Sequence, residues 1–193
     1  LINGDDMGLG KTAQAIATIV AAKAFPALII CPASLKLNWQ KEWQVVSGMR
    51  SMVLSDRVKN TWQHYHRVGM VQVFIVNYKK KKKYFVESIN KDPEEPLRLN
   101  HIAFKDTVNL FKSVTIDELH RCKEGKTKQA KFVMGLTKGK EWIQGLTGTP
   151  LVNKPKDLIS QLHIIGRLQD MGGYKYFMQR YCGGNGTGAT NLR

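Results

Sequence analysis

The feature that most restricts the possible folds is a Gly-Leu-Gly-Lys-Thr segment at residues 8–12. It follows a short apolar stretch, residues 1–3, which is typical of the end of a strand. It precedes an alanine-rich stretch in which Ile16, Ile19 and Val20 recur at helical spacing. Glycines let backbone N–H groups turn toward phosphate oxygens, and the amino terminus of a helix adds a positive partial charge. The segment therefore predicts a strand, a phosphate-binding loop and a helix.

The residues that follow the last glycine have defined tasks in such a loop. Lys11 would reach the β- and γ-phosphates of a nucleotide, and the Thr12 hydroxyl would bind Mg²⁺. The sequence departs from the strict pattern G-x-x-x-x-G-K-[ST], because Asp5 occupies the position of the first glycine. The predicted nucleotide-binding residues are Asp6, Met7, Gly8, Leu9, Gly10, Lys11 and Thr12.

Short apolar runs alternate with helical stretches along the rest of the chain. Residues 27–31 form a continuous apolar run that is followed by Pro32, as in a strand that is buried on both faces. This alternation predicts an α/β fold of three layers, with a central, mostly parallel sheet flanked by helices. Trp39 and Trp43 share one face of a predicted helix that Ser34 would cap, and we interpret both as core residues. The other predicted strands are 51–54, 71–76, 113–117 and 142–147.

A pair of acidic residues follows one of these strands. A nucleotide hydrolase needs one carboxylate to hold Mg²⁺ and a second to orient and deprotonate the attacking water. Asp117 and Glu118 suit these two roles if the strand ends at this point, because side chains within a strand alternate between its faces. His120 is expected to couple hydrolysis to a neighbouring element.

A compact polar turn follows the last predicted strand. Two hydroxyl residues flank a glycine, and Pro150 ends the strand. This turn is the predicted coupling element, formed by Thr147, Gly148 and Thr149.

The net charge of the chain indicates which class of molecule it binds. Thirty Lys and Arg against fifteen Asp and Glu leave a net charge of +15, which favours a polyanion such as nucleic acid over an acidic protein surface. The apolar stretch 13–35 is interrupted by Lys23 and Pro26, so a membrane span is not expected. Three widely spaced cysteines predict neither a zinc site nor a disulfide framework. The five-lysine run 79–83 is interpreted as a solvated helix followed by a surface loop.

The three segments, in this order, resemble the first motor lobe of the Swi/Snf-type ATPases of helicase superfamily 2. Residues 5–12 resemble motif I of that family, in which an acid also replaces the first glycine. Residues 117–121 resemble its DEAH-Arg motif II, with Leu119 in place of the usual Ala. Residues 146–151 with Asn153 resemble motif III, while 31–35 and 75–78 resemble motifs Ia and Ib. Residues 180–182 and 188–192 resemble the annealing-helicase branch.

The resemblance implies a RecA-like lobe of an ATP-driven motor that tracks along double-stranded DNA. The implied cofactors are ATP and Mg²⁺, and a second RecA-like lobe in cis would close the nucleotide cleft. Residues 1–193 would then be one lobe of a longer protein, truncated at both ends and inactive in hydrolysis when isolated. The implied contacts to the DNA backbone are Ser34, Lys36, Asn77, Tyr78, Arg121 and Lys123.

Two alternatives stay open at this stage. A strand-separating superfamily 2 helicase that acts on DNA or RNA would share motifs I to III. A nucleotide-binding or DNA-binding module without turnover is the other alternative for an isolated lobe. A bacterial or phage cytoplasm is the preferred location, with the nucleus expected for a eukaryotic protein.

Overall fold

The computed structural model describes residues 1–6, 8–150 and 154–183. In these residues the main sheet has the strand order β1-β8-β7-β2-β4-β3, and every pair of neighbours is parallel. The predicted α/β class with a mostly parallel sheet is confirmed. The strands are β1 (Ile2–Asn3), β2 (Ala27–Cys31), β3 (Ser51–Val53), β4 (Val73–Asn77), β5 (Val86–Ile89), β6 (Ile102–Phe104), β7 (Ser113–Asp117) and β8 (Trp142–Leu146). The helices are α1 (Lys11–Ala21), α2 (Lys36–Ser47), α3 (Trp62–Arg67), α4 (Lys81–Phe85), α5 (Lys128–Thr137), α6 (Asp157–Ile164) and α7 (Gly173–Cys182).

Two cores lie on opposite faces of the sheet, because successive strand residues point to opposite sides. On one face, Ile29 and Cys31 pack with residues of α1 and α2, including Trp39. On the other face, Leu28 and Ile30 pack with residues from α3 to α7. The three-layer arrangement follows from this alternation, and the two tryptophans of α2 are core residues as predicted.

The central part of the chain differs from the sequence-based prediction. The stretch after the lysine run was predicted to be a surface loop, but β5 and β6 form an antiparallel pair there. The lysine run is only partly solvated, because Lys81 is buried, at 3% exposure. Lys80 and Lys83 bind Asp56, with Nζ–Oδ distances of 2.8 and 2.6 Å. Propensity and charge did not reveal these tertiary contacts.

The longest apolar stretch of the sequence forms α1 and β2. Within the described ranges, each helix is too short or too polar to cross a bilayer.

Candidate active site

The predicted motifs converge because the carboxyl ends of parallel strands meet at one edge of the sheet. Asp117, the last residue of β7, is in register with Leu146 of β8. Leu146 is in turn paired with Asn3 at the end of β1, where the glycine loop begins. At the end of β2, Cys31 pairs with Asn77 of β4. Motifs that lie far apart in the sequence therefore share one edge.

The glycine loop turns into α1 as predicted. Gly8 and Gly10 have φ angles of 89° and 73°, in the left-handed region where a side chain is strained. The helix starts at Lys11, whose ammonium donates to the carbonyl oxygens of Asp5 at 2.5 Å and Asp6 at 2.7 Å. The lysine thus bridges the first half of the loop. Met7, also predicted to bind nucleotide, lies outside the described residues.

Gln14, which sequence reasoning did not select, holds the loop from the first turn of α1. Its Nε2 donates to the Leu9 carbonyl oxygen at 3.0 Å and to Asp5 Oδ2 at 3.3 Å. Its Oε1 accepts from Asn3 Nδ2 at 2.7 Å. Gln14 therefore joins the strand end, both sides of the loop and the helix. Its position two residues after Thr12 was the only signal in the sequence.

We expect Gln14→Ala to weaken binding of a fluorescent ATP analogue about 5-fold, since losing hydrogen bonds worth about 1 kcal/mol leaves the loop less ordered. Equilibrium titration monitored by fluorescence anisotropy measures this change. The matched control is Gln44→Ala on α2, where the amide contacts only the Gly48 carbonyl oxygen among the described residues. Equal affinities of the two variants would contradict a role for Gln14 in the loop.

The strand end presents both acids of motif II. β7 ends at Asp117, and Glu118 adopts a left-handed conformation with φ 55° and ψ 51°. This conformation breaks the alternation of the strand, as the proposed roles of the two carboxylates require. A non-glycine residue in this region is strained, and such strain is concentrated at functional sites.

Asp117 is held by a tryptophan of α2. Trp39 Nε1 donates to Asp117 Oδ2 at 2.8 Å. Burial raises the pKa of the Asp117 carboxyl, while the hydrogen bond from Trp39 and the charge of Lys11 oppose that increase. The periodic spacing of Trp39 predicted a core position, but its bond to the carboxylate depends on how α2 packs beside β7.

His120 links motif II to the polar turn after β8. Its Nδ1 lies 3.1 Å from Glu118 Oε2 and 3.0 Å from Thr147 Oγ1. Thr149 Oγ1 is 3.5 Å from His120 Nδ1. The backbone N–H of Thr149 donates to Thr147 Oγ1 at 3.2 Å. The structure thus brings together the residues predicted for coupling. Leu151 and Asn153 of the motif III resemblance lie outside the described residues.

The unusual leucine in motif II fits because a glycine faces it. Leu119 is fully buried. A Cβ atom at Gly145 of β8 would lie 2.3 Å from Leu119 Cδ2, so even alanine there would require a shift. The small residue on β8 therefore makes room for the larger residue after β7.

Two of the predicted DNA contacts are buried. Asn77 is 7% exposed, and its Oδ1 accepts the Lys80 backbone N–H at 2.8 Å. Tyr78 is 6% exposed, and its hydroxyl donates to the backbone oxygen of Asp117 at 2.6 Å. Both side chains are therefore bonded within the lobe, and their contact with the DNA backbone stays a prediction. Tyr78 supports the backbone of motif II.

The other DNA candidates are accessible. Ser34 and Arg121 are exposed, and Lys36 and Lys123 are partly exposed. Ser34 lies in a short 3₁₀ turn, Ala33–Leu35, and its side chain does not cap α2 as predicted. All four follow β2 or β7, so they lie toward the same edge as the acids.

The residues present fit Mg²⁺ with a nucleotide. Among the described residues, no other atom lies within 4 Å of a Cβ position at Gly8 or Gly10, so the loop has an open side. Thr12 and Asp117 supply hard oxygen donors. No group of three His, Cys, Asp or Glu suited to a metal occurs in the described ranges. Mg²⁺ commonly uses only one or two carboxylates and completes its shell with phosphate and water.

The sequence pattern of the SNF2-related domain matches residues 1–182. This chain belongs to that family. A SWI/SNF-related matrix-associated actin-dependent regulator of chromatin subfamily A-like protein 1 homolog of Caenorhabditis elegans is 28% identical over 186 residues, covering 95% of this chain and 24% of that protein. The DNA annealing helicase and endonuclease ZRANB3 of Bos taurus is 28% identical over 184 residues, covering 92% of the chain and 15% of that protein.

Solved structures agree with this assignment. The Sulfolobus solfataricus SWI2/SNF2 ATPase core in complex with dsDNA is 27% identical, with a TM-score of 0.68, covering 98% of this chain and 36% of that one. The Pyrococcus furiosus Hef helicase domain, 15% identical with a TM-score of 0.57, supports the fold alone. The SNF2-related chain thus spans a quarter or less of these two curated relatives. Both are animal proteins, so they do not support the preferred bacterial or phage location.

Proposed function

We propose that this SNF2-related chain is the first, ATP-binding lobe of a DNA-stimulated ATPase that moves along double-stranded DNA. The observation that carries the proposal is the pair of carboxylates at the end of β7, joined through His120 to Thr147. A phosphate loop at the same edge supplies Lys11 and Thr12. The similar Sulfolobus solfataricus SWI2/SNF2 ATPase core is in complex with dsDNA, which supports the choice of duplex DNA as the partner.

In this function each residue has a defined task. Lys11 would exchange the loop carbonyls for phosphate oxygens, and Thr12 and Asp117 would hold the metal. Mg²⁺ held there would neutralise part of the negative charge of the nucleotide phosphates. Glu118 would orient the attacking water and accept its proton. His120 contacts both Glu118 and Thr147. A change in the charge of Glu118 would therefore alter the hydrogen bond between His120 and Thr147.

The DNA contacts would be to phosphates rather than to bases. Ser34, Lys36, Arg121 and Lys123 are the accessible candidates, and their hydroxyl, ammonium and guanidinium groups suit phosphate oxygens. Binding through such contacts weakens as salt is raised, because counterions are released from DNA. A second RecA-like lobe in cis would complete the cleft. The proposed location is the compartment that holds the DNA, which is the nucleus in a eukaryote.

The test is ATP hydrolysis by the intact protein with duplex DNA, single-stranded DNA or RNA of equal length. We expect duplex DNA to raise kcat about 10-fold or more, since closure on the substrate assembles the catalytic groups. Stimulation by RNA alone would overturn the proposal. Stimulation by single strands, with displacement of a labelled strand, would favour a strand-separating helicase. A protein that neither binds nor hydrolyses ATP would contradict both the translocase and the strand-separating helicase.

A further inference from the structure

We propose that Trp39 is a positioning residue for Asp117, and that it ties the helix beside the DNA candidates to the metal-binding carboxylate. The inference rests on the proposed function. It adds a residue that acts on the nucleotide site without touching the nucleotide.

The bond between the two side chains is well defined. Trp39 Nε1 donates to Asp117 Oδ2 at 2.8 Å across 78 residues of sequence. The indole is 1% exposed and packs in the core formed by α1, α2 and the sheet. Because that packing fixes the ring, the N–H group fixes one carboxylate oxygen.

Both the side chain and the backbone of Asp117 are therefore held. The Tyr78 hydroxyl donates to the Asp117 backbone oxygen at 2.6 Å. An indole N–H donates only, so it does not compete with the carboxylate for a cation. Partners of this kind orient metal ligands, and their loss commonly reduces metal affinity or activity about 10- to 100-fold.

The same helix offers an internal comparison. Trp43 lies one turn after Trp39 on α2 and is fully buried. Its Nε1 is also buried, but it has no hydrogen-bond partner among the described residues. The two tryptophans thus share a helix and a core, and only Trp39 bonds to Asp117.

The position of Trp39 relates the acid to the DNA candidates. The 3₁₀ turn Ala33–Leu35 contains Ser34, and α2 begins at Lys36, one turn before Trp39. A displacement of the start of α2 by a phosphate contact would therefore act on Asp117 through one rigid side chain. The sequence alone places Trp39 78 positions from the acid.

The experiment compares Trp39→Phe with Trp43→Phe in the intact protein. Each variant keeps an aromatic ring and removes one indole N–H. A fluorescent ATP analogue is titrated in EDTA and across a Mg²⁺ series, and thermal unfolding is recorded. Mg²⁺ is expected to increase the affinity for the ATP analogue. We expect Trp39→Phe to need about 10-fold more Mg²⁺ than wild type to reach half of that increase. Trp43→Phe should stay within about 2-fold of wild type, with similar binding in EDTA for both variants.

A double-mutant cycle with Asp117→Asn separates positioning from a general loss of structure. If Trp39 acts through Asp117, Trp39→Phe adds nothing to the Mg²⁺ requirement in that background. Additive effects, or equal Mg²⁺ requirements of the two Phe variants, would overturn the inference. If Trp39→Phe does not fold, the indole ¹H–¹⁵N signal of Trp39 in the wild-type protein decides instead. It should shift when Mg²⁺ is added to the nucleotide-bound protein, whereas an unchanged signal would overturn the inference.

Failure of the proposed function has a different signature. The binding titrations do not require hydrolysis, so they test Trp39 even in an inactive protein. A wild-type protein that binds Mg²⁺ with nucleotide but is not stimulated by DNA would refute the motor alone. A DNA-stimulated wild type whose two Phe variants behave alike would refute the inference alone.

Discussion

Glu118→Gln is expected to reduce ATP hydrolysis by the intact protein roughly 10²- to 10⁴-fold while leaving nucleotide affinity within about 2-fold of wild type. The amide cannot accept the proton of the attacking water, but it keeps the size of the carboxylate. Its oxygen can still lie near His120 Nδ1, which is 3.1 Å from Glu118 Oε2 in the structure. A coupled phosphate-release assay measures kcat, and fluorescence anisotropy measures affinity.

Glu141→Gln is the matched control for that experiment. Glu141 is exposed and precedes β8, so it lies at the edge of the sheet opposite the motifs. The control should hydrolyse ATP at the wild-type rate. Persistent turnover in Glu118→Gln would show that another group accepts the proton, and an equal loss in both variants would indicate a general defect.

Lys81→Met is expected to raise the free energy of unfolding by about 2 kcal/mol at pH 7. Lys81 is buried, and its ammonium lies 5.3 Å from the centre of the Tyr78 ring and 5.7 Å from that of Phe132. Burial lowers the pKa of Lys81 to about 8 from its usual 10.5, so the folded state holds this charge at a cost. The variant also loses the hydrogen bond from Nζ to the Tyr78 backbone oxygen, which reduces the stabilisation by about 1 kcal/mol.

The stabilisation should depend on pH with a defined sign. Below about pH 8 the lysine is protonated in both states, so the full cost of burial is present. Between about 8 and 10.5 the unfolded chain keeps the proton that the folded chain has released, so this group makes the wild type more stable as pH rises. The methionine variant lacks that rise, and its advantage should therefore shrink between pH 8 and 10.

Urea denaturation followed by tryptophan fluorescence, repeated at pH 7 and pH 10, measures the difference. Lys82→Met is the control, because Lys82 is the exposed neighbour in the same helix. It should change the unfolding free energy by less than about 0.5 kcal/mol at either pH. A destabilised Lys81→Met at pH 7, or a difference that is independent of pH, would contradict the buried-charge explanation.

Some site residues lie where the sequence predicts them, and others have partners that the sequence does not indicate. Lys11 at the start of α1 and Asp117 at the end of β7 occupy the predicted positions, because loop chemistry and strand patterning are local. Tyr78 was expected to face DNA and is buried. The spacing of Trp39 predicted its core position correctly, but its partner could not be predicted. These roles depend on which element packs against which strand.

The sequence by itself determined the α/β class, the glycine loop before α1, the motif order and the family. Those features are encoded in short segments whose glycine, charge and periodicity patterns are read locally. Only the tertiary structure placed His120 between Glu118 and Thr147, joined Trp39 to Asp117 and buried Lys81 within a run of five lysines. Contacts of this kind link residues that are remote in sequence or depend on what packs against a helix face. Residue type and periodicity indicate which interactions a side chain is able to make, whereas tertiary packing determines which residue becomes its partner.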